Sequence, residues 1–429
     1  MRSGRGTFGS PRTFTSRSTL ALTFVGAALA GIAFVAAPLP VSSTSPFSPA
    51  PAIADDACTP GVMARIAGPP PVLEAIDAVP GRLPVTGAGV TVAVVDSGVD
   101  ASRPQLADAI APGSVSLVVD GERPDGLGDP MGHGTAIAGI IAARPTPGSG
   151  VTGIAPDANI ISIRVLRDQD QQSKDAGFGP EAGRMADGIR LSADLGAKII
   201  AVALSDDADS QALRDATAYA SERGALVVAS AGNRATTTNT EDSPRYPAAY
   251  PEALSVTAVT LEGLPTQDSI HGEHVEVAAP AQEVLTTATG AGDCVYSADA
   301  PAASFAVGYV AGAAALLAEA YPDEGPEGWA YRLQASADRP NPDQRDDKIG
   351  WGVIRPAAAL DLRPDRSTRG PLSPFAGNGN SAISVQPVRV QPGAAEASES
   401  NAITAVAVGL GGIVLVLALA AGLRRRRSE

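Results

Sequence analysis

The sequence predicts an α/β fold, namely a doubly wound, mostly parallel sheet with helices on both faces, plus one C-terminal transmembrane helix. Three observations predict it. Short β-rich runs alternate with helical runs from Gly87 onward. The strand-like runs are continuously apolar, which is typical of parallel strands buried on both faces. A final apolar run lies apart from this alternation and is long enough to cross a membrane.

The alternating elements follow one another in a regular order. Residues 90–95 are apolar and β-branched and predict a buried strand, and residues 133–143 predict a helix. The other predicted strands are 159–165, 198–204, 225–230, 254–259 and 275–279, and the other helices are 181–196, 210–223, 304–321 and 326–337. Active sites of such sheets lie beyond the carboxyl ends of the strands, so we expect any chemistry there.

The N-terminus has the form of a signal peptide. Residues 1–54 carry four arginines and no acidic residue, and the arginines precede an apolar run from Leu20 to Ala37. Ala52-Ile53-Ala54 then offers a small-x-small cleavage site, so we expect cleavage after Ala54. The stretch between the apolar run and this site is long, and an uncleaved anchor is the alternative.

The C-terminal end predicts a membrane anchor. Residues 364–401 are rich in Pro, Gly, Ser and Asn and are interpreted as a stalk. Residues 402–423 contain only Thr404 as a polar residue and are long enough to span a bilayer. Residues 424–429 form a basic tail, which predicts a cytoplasmic C-terminus and an extracytoplasmic domain at the cell membrane.

The charge and the cysteines narrow the class of protein further. The net charge is −14 although both ends are basic, so the part between them is strongly acidic. Such a surface disfavours nucleic acid as a partner, because phosphate binding needs clustered Lys and Arg. Only Cys58 and Cys294 are present. In an exported protein two cysteines suggest one disulfide, with two free thiols as the alternative.

Three separate places present a reactive side chain in a suitable local setting. Asp96 ends the first apolar strand, His133 lies between two glycines at a helix start, and Ser304 begins an apolar helix. Each has an ordinary structural explanation on its own, as a turn, core or helix-capping residue. Together they supply what nucleophilic catalysis requires, because a serine needs a histidine base and the histidine needs an orienting carboxylate.

Asn233 adds a candidate for the fourth part of such a site. It follows the predicted strand 225–230 in the segment Ser230-Ala231-Gly232-Asn233. An asparagine at a turn is commonly conformational, but its position between His133 and Ser304 along the chain favours a role for its amide in stabilising an oxyanion.

These motifs resemble those of the subtilisin-like (S8) serine proteases. The quoted segments are VAVVDSGVD around Asp96, GHGTAIAGIIAA around His133 and VVASAGN before the amide. The chain order Asp, His, Ser is that of subtilisin. The resemblance implies a serine endopeptidase with Asp96, His133 and Ser304 as the catalytic triad and Asn233 in the oxyanion hole. It implies a protein or peptide substrate. We expect no cofactor and no metal, since Asp168, Asp170 and Asp175 are spaced loosely and lack the pattern of a calcium loop.

Within this family the chain is most similar to the mycosins, the membrane-bound subtilases of type VII secretion. RYPAAYPEALSVTAV, HVEVAAP and DDKIGWGVIRPAAAL carry this resemblance. It implies an N-terminal extension at 55–86 that wraps a peptidase domain at 87–363. It also implies a type VII secretion membrane complex as a partner. A Cys58–Cys294 disulfide would tie the extension to the loop before Ser304.

One motif departs from the family pattern Gly-Thr-Ser-x-Ala-x-Pro. Ala302, Ala303 and Gly308 replace the Gly, the Thr and the Pro around Ser304. We therefore expect reduced or narrowly selective activity. The alternative is a protease-fold component, weakly active or inactive, that stabilises a secretion membrane complex. A nucleotide-binding α/β protein is excluded, because no Gly-rich phosphate loop follows the first strand.

Overall fold

A computed structural model gives the fold of Cys58, residues 61–365 and residues 367–375. Its strands are β1 Thr91–Asp96, β2 Val115–Ser116, β3 Asn159–Arg164, β4 Ile199–Val202, β5 Leu226–Ser230, β6 Ala253–Val259, β7 Val277–Pro280, β8 Val284–Thr287 and β9 Asp293–Tyr296. Its helices are α1 Pro71–Ala75, α2 His133–Ala142, α3 Gln171–Asp175, α4 Ala182–Asp194, α5 Gln211–Glu222, α6 Ala303–Ala320, α7 Gly325–Ala335 and α8 Pro356–Asp361.

Seven strands form one parallel sheet in the order β2-β3-β1-β4-β5-β6-β7. Helices cover both faces, with α2 and α6 on one side and α4 and α5 on the other. Strand β1 shows why the sequence of a parallel strand is continuously apolar. Val92 and Val94 belong to the core under α2 and α6, while Ala93 and Val95 belong to the core under α4 and α5. The predicted α/β class is therefore confirmed.

A short hairpin was not predicted from the sequence. Strands β8 and β9 pair antiparallel, apart from the main sheet. The N-terminal segment runs beside them, since the Gly61 N–H donates to the Gly290 carbonyl at 2.8 Å. The Asp293 N–H in turn donates to the Ala64 carbonyl at 2.9 Å. Cys58 and Cys294 form a disulfide at this place, so the thiols are not free.

The predicted membrane span, signal peptide and tail, and all of the predicted stalk beyond Phe375, lie outside the described residues. Within the described part of the chain, one helix is long and apolar enough to cross a membrane, namely α6. It is a core helix, because all but its last two residues are buried between the sheet and its neighbouring helices. Its apolar composition therefore follows from burial in the protein.

Gly308 in α6 packs closely against α2. A Cβ atom at Gly308 would come within 2.9 Å of Ile140 Cγ2 and 3.0 Å of Ile140 Cβ. We expect Gly308→Ala to lower the free energy of unfolding by about 1–3 kcal/mol, because an added methyl group overpacks this contact. Denaturant unfolding of the purified protein measures the change.

Two variants test whether the contact with Ile140 is the cause. Gly68→Ala is the matched control, since a Cβ there would meet nothing within 4 Å. Ile140→Ala combined with Gly308→Ala should cost less than the two single changes added together. Strict additivity of the two changes would contradict the proposed clash.

Candidate active site

Asp96 and His133 are in direct contact at the carboxyl edge of the sheet. Asp96 is the last residue of β1 and is fully buried, and His133 is the first residue of α2 with a 13% exposed side chain. His133 Nδ1 lies 2.8 Å from Asp96 Oδ1 and 3.0 Å from Oδ2. The carboxylate therefore fixes the proton on Nδ1 and leaves Nε2 as the basic nitrogen.

Glycines allow these two segments to come so close together. A Cβ at Gly134 would lie 2.2 Å from the Gly98 carbonyl oxygen. Gly98 itself has a φ of 114°, and a Cβ there would lie 2.1 Å from the Gly128 carbonyl oxygen. A side chain at Gly134 would push α2 away from the segment after β1, and one at Gly98 would displace the loop at Gly128. Both positions therefore require glycine.

Asn233 is held against the start of α6. Its Oδ1 accepts a hydrogen bond from the Ala303 N–H at 2.7 Å. Because a backbone N–H can only donate, this contact fixes Oδ1 and turns Nδ2 away from Ala303. Among the described residues, no acceptor pairs with the Ser304 N–H, which is one of the free donors at the helix start. Two donors thus remain available close to the serine.

Ser304 is the second residue of α6 and is 9% exposed. Its neighbour Phe305 packs beside the histidine, with the ring centroids of His133 and Phe305 5.5 Å apart. The hydrogen bonds of the described residues do not include one between Ser304 and His133. Such bonds are often long in free enzymes and tighten when substrate binds, and the role of Ser304 as the nucleophile stays a prediction.

Three parts of this region were not predicted from the sequence. Phe305 forms an aromatic row with His133 and with Tyr296, whose ring centroid lies 5.3 Å from that of Phe305. Asp129 is a buried carboxyl group four residues before His133. Arg164 is a buried cation at the end of β3. Of these three parts, only Asp129 could have been found from the sequence, because it lies close to the histidine motif.

The region from the first strand of the sheet to the last turn before α8 matches a known family model. The model is that of the subtilase family, and it covers residues 87–352. The chain belongs to the subtilase family. It is a subtilisin-like serine endopeptidase, as the predicted motifs implied.

Several relatives of this subtilase are known. It is 35% identical to Mycosin-1 of Mycobacterium tuberculosis, over 80% of this chain and 82% of the relative. It is 34% identical to thermitase of Thermoactinomyces vulgaris, over 54% of this chain and 76% of the relative. The crystal structure of MycP1 from the ESX-1 type VII secretion system has a TM-score of 0.61 and 29% identity. That match covers 73% of this chain and 92% of MycP1. The chain is therefore a mycosin-like subtilase.

The pH dependence of this subtilase is expected to follow His133. Burial disfavours the charged imidazolium, but the Asp96 charge, its hydrogen bond and the Asp129 charge together raise the pKa of His133 above 6.5. A base must be neutral to accept a proton, so kcat/KM should rise with pH and reach half its maximum above pH 6.5. Peptide cleavage between pH 5 and 9 measures this midpoint.

Asp96→Asn is the informative variant for that measurement. It removes the charge that stabilises the imidazolium, so the midpoint should move to lower pH while the rate falls. A wild-type midpoint below 6.5 would contradict the expectation, since burial would then outweigh both carboxylates.

Proposed function

We propose that this subtilase cleaves peptide bonds with Asp96, His133 and Ser304 as a catalytic triad, anchored to a membrane as part of a type VII secretion system. The observation that carries the chemical part is the two-oxygen contact between Asp96 and His133 Nδ1. It leaves Nε2 free, on the side of the ring from which a serine proton is taken.

The proposed reaction is acyl transfer to Ser304. Ser304 Oγ attacks the scissile carbonyl carbon while its proton moves to His133 Nε2. The oxyanion is stabilised by Asn233 Nδ2 and the Ser304 N–H, two donors that have no acceptor among the described residues. His133 then gives the proton to the leaving amine, the C–N bond breaks, and water releases the acyl group by the same steps in reverse.

The altered motif around Ser304 bears on the alternative, a weakly active or inactive component of the complex. The family threonine is absent, but the backbone of Ala303 itself holds the Asn233 amide at 2.7 Å. Gly308 replaces the proline where α6 meets Ile140, so α6 keeps a close contact with the histidine-bearing helix. These contacts support an active enzyme.

Labelling with a fluorophosphonate distinguishes an active protease from an inactive component of the complex. The probe phosphonylates a serine only when that serine is activated by a base, so wild-type protein should be labelled and Ser304→Ala should not. Asn233→Ala should be labelled more slowly. Absence of labelling in wild type, with the protein folded, would leave only the scaffold role.

The proposed location rests on the similarity to MycP1 and on the sequence. MycP1 is described as part of the ESX-1 type VII secretion system. For this chain we propose a signal peptide at 1–54, an N-terminal extension at 55–86, a peptidase domain at 87–363 and a stalk at 364–401. A transmembrane helix at 402–423 then leaves residues 424–429 in the cytoplasm.

Membrane fractionation tests the anchor independently of catalysis. The full chain should remain in the membrane after a high-salt wash, whereas a chain ending at Asn401 should be released into the soluble fraction. Protease added to intact cells stripped of their outer layers should degrade the domain and spare the C-terminal tail. Retention of the truncated chain in the membrane would argue against the anchor at 402–423.

A further inference from the structure

Asp129 is a buried carboxyl group that receives hydrogen bonds on both oxygens. It is 4% exposed. Oδ1 accepts from Ser97 Oγ at 2.8 Å and from the Gly132 N–H at 2.7 Å. Oδ2 accepts from the Thr135 N–H at 2.8 Å and from Thr135 Oγ1 at 2.6 Å. All four groups are able to donate, which suits an ionised carboxylate.

These four hydrogen bonds surround His133 along the chain. Gly132 precedes His133 and Thr135 follows it by two residues. The Asp129 carboxylate therefore accepts hydrogen bonds from the backbone on both sides of His133. Gly132 adopts a φ of 83° at the start of α2. The tether therefore holds a sharp turn directly before the histidine, and the ring direction depends on that turn.

The same network reaches the segment that carries Asp96. Ser97 follows Asp96 directly, and Ser97 Oγ both donates to Asp129 and accepts from the Gly134 N–H at 3.0 Å. The strand end and the helix start are thus joined twice. One link is the contact of His133 with Asp96, and the other runs through Ser97 and Asp129.

A helix cap alone does not explain this arrangement. A cap accounts for the bonds from the Gly132 and Thr135 N–H groups, but not for the bond from Ser97 on another element. Burying a carboxylate is costly unless it is paired or fully hydrogen-bonded. Among the described residues, no lysine or arginine forms an ion pair with Asp129. His133 is the cation that forms nearby during the reaction.

We propose that Asp129 is a positioning residue for His133, which fixes the ring against Asp96 and stabilises the imidazolium as a second carboxylate. It acts through its tethers and its charge and does not contact the substrate. This proposal rests on the proposed role of His133 as the catalytic base.

Other charged and titratable groups of the described residues lie around the network. Asp96 faces His133 from β1, and Asp100 is paired with Arg103 at 3.0 Å. Arg164 from β3 donates to the Ser97 carbonyl at 3.1 Å and is paired with Asp120. Tyr296 comes from β9, where burial raises the pKa of its hydroxyl to about 12, so it stays neutral. The pKa of Asp129 itself is raised, because burial outweighs the hydrogen bonds from its four donors, which lower it. Burial lowers the pKa of His133, and the two carboxylates, Asp96 and Asp129, raise it.

The test is an NMR titration of the histidine rings in the full-length protein in detergent. The chain has three histidines, and His133→Gln identifies the relevant signal. Asp129→Asn should lower the His133 midpoint by about 1 pH unit, because a nearby negative charge is removed. It should also slow fluorophosphonate labelling by about 10²-fold through loss of ring position.

Two further variants make the result decisive. Asp125→Asn removes an equal charge from the same loop, but its side chain is 41% exposed and paired with Arg123, so both readouts should stay at wild type. Thr135→Val keeps the Asp129 charge and removes one donor, so labelling should slow while the His133 midpoint stays unchanged. This variant also decides the positioning part if Asp129→Asn does not fold.

The outcomes are distinguishable from a failure of the proposed reaction. The titration needs no catalysis, so an unlabelled wild type would refute the reaction and still report the effect of Asp129. An unchanged His133 midpoint in folded Asp129→Asn would overturn the electrostatic role. Wild-type labelling rates in both Asp129→Asn and Thr135→Val would overturn the positioning role.

Discussion

His133→Ala is expected to lower kcat by on the order of 10⁶, and Ser304→Ala by a similar factor. These are the costs known for subtilisin, where either loss disables the whole triad. The same principle predicts that the double variant is no worse than either single one. Asp96→Asn should be milder, on the order of 10⁴, because the histidine is left misoriented but present. Asn233→Ala should cost on the order of 10²–10³.

Cleavage of a peptide selected from a library measures this series, with the purified full chain in detergent. Unfolding midpoints of every variant provide the control, because loss of fold would imitate loss of chemistry. Additive effects of His133→Ala and Ser304→Ala would show that the two residues act separately, and that result would remove the triad from the proposed function.

The second large effect concerns a buried ion pair behind Asp96. Arg164 at the end of β3 contacts Asp120 through two hydrogen bonds, at 2.9 and 2.5 Å, and both side chains are fully buried. Arg164 Nε also donates to the Ser97 carbonyl at 3.1 Å. We expect Arg164→Met to lower the free energy of unfolding by about 3–5 kcal/mol, because it leaves a buried carboxylate without its partner.

Two comparisons separate this cause from general loss of packing. Arg164→Met combined with Asp120→Leu removes both charges and should recover most of the lost stability. Arg123→Met breaks an exposed pair with Asp125 nearby and should leave the unfolding midpoint almost unchanged. A double variant as unstable as Arg164→Met alone would mean that the bond to Ser97, and not the buried charge, is what matters.

The sequence predicted the parallel sheet because β1 and its neighbours are apolar on both faces, and continuous burial leaves a continuous run of Val, Ile and Ala. The element bounds differ by a few residues, as for the strand predicted at 198–204 and found at Ile199–Val202. The hairpin of β8 and β9 escaped detection because its strands are short and mixed in polarity.

The sequence also named Asp96, His133, Asn233 and Ser304, and the structure places Asp96 and His133 in contact. Local patterns sufficed for this, because strand ends and helix starts of a parallel sheet meet at one edge. Their catalytic roles stay predictions until the labelling and kinetic experiments are done.

By itself the sequence determined the order of strands and helices, the family motifs and the ends that predict export and anchoring. Only the tertiary structure decided which polar groups satisfy one another, as in the Asp129 tethers, the pairing of Arg164 with Asp120 and the hold of Ala303 on Asn233. The physical reason is that buried positions recur at regular intervals along a helix or strand, so that apolar residues recur with the same period in the sequence. A hydrogen bond between distant residues depends on direction and distance, which leave no period in the chain.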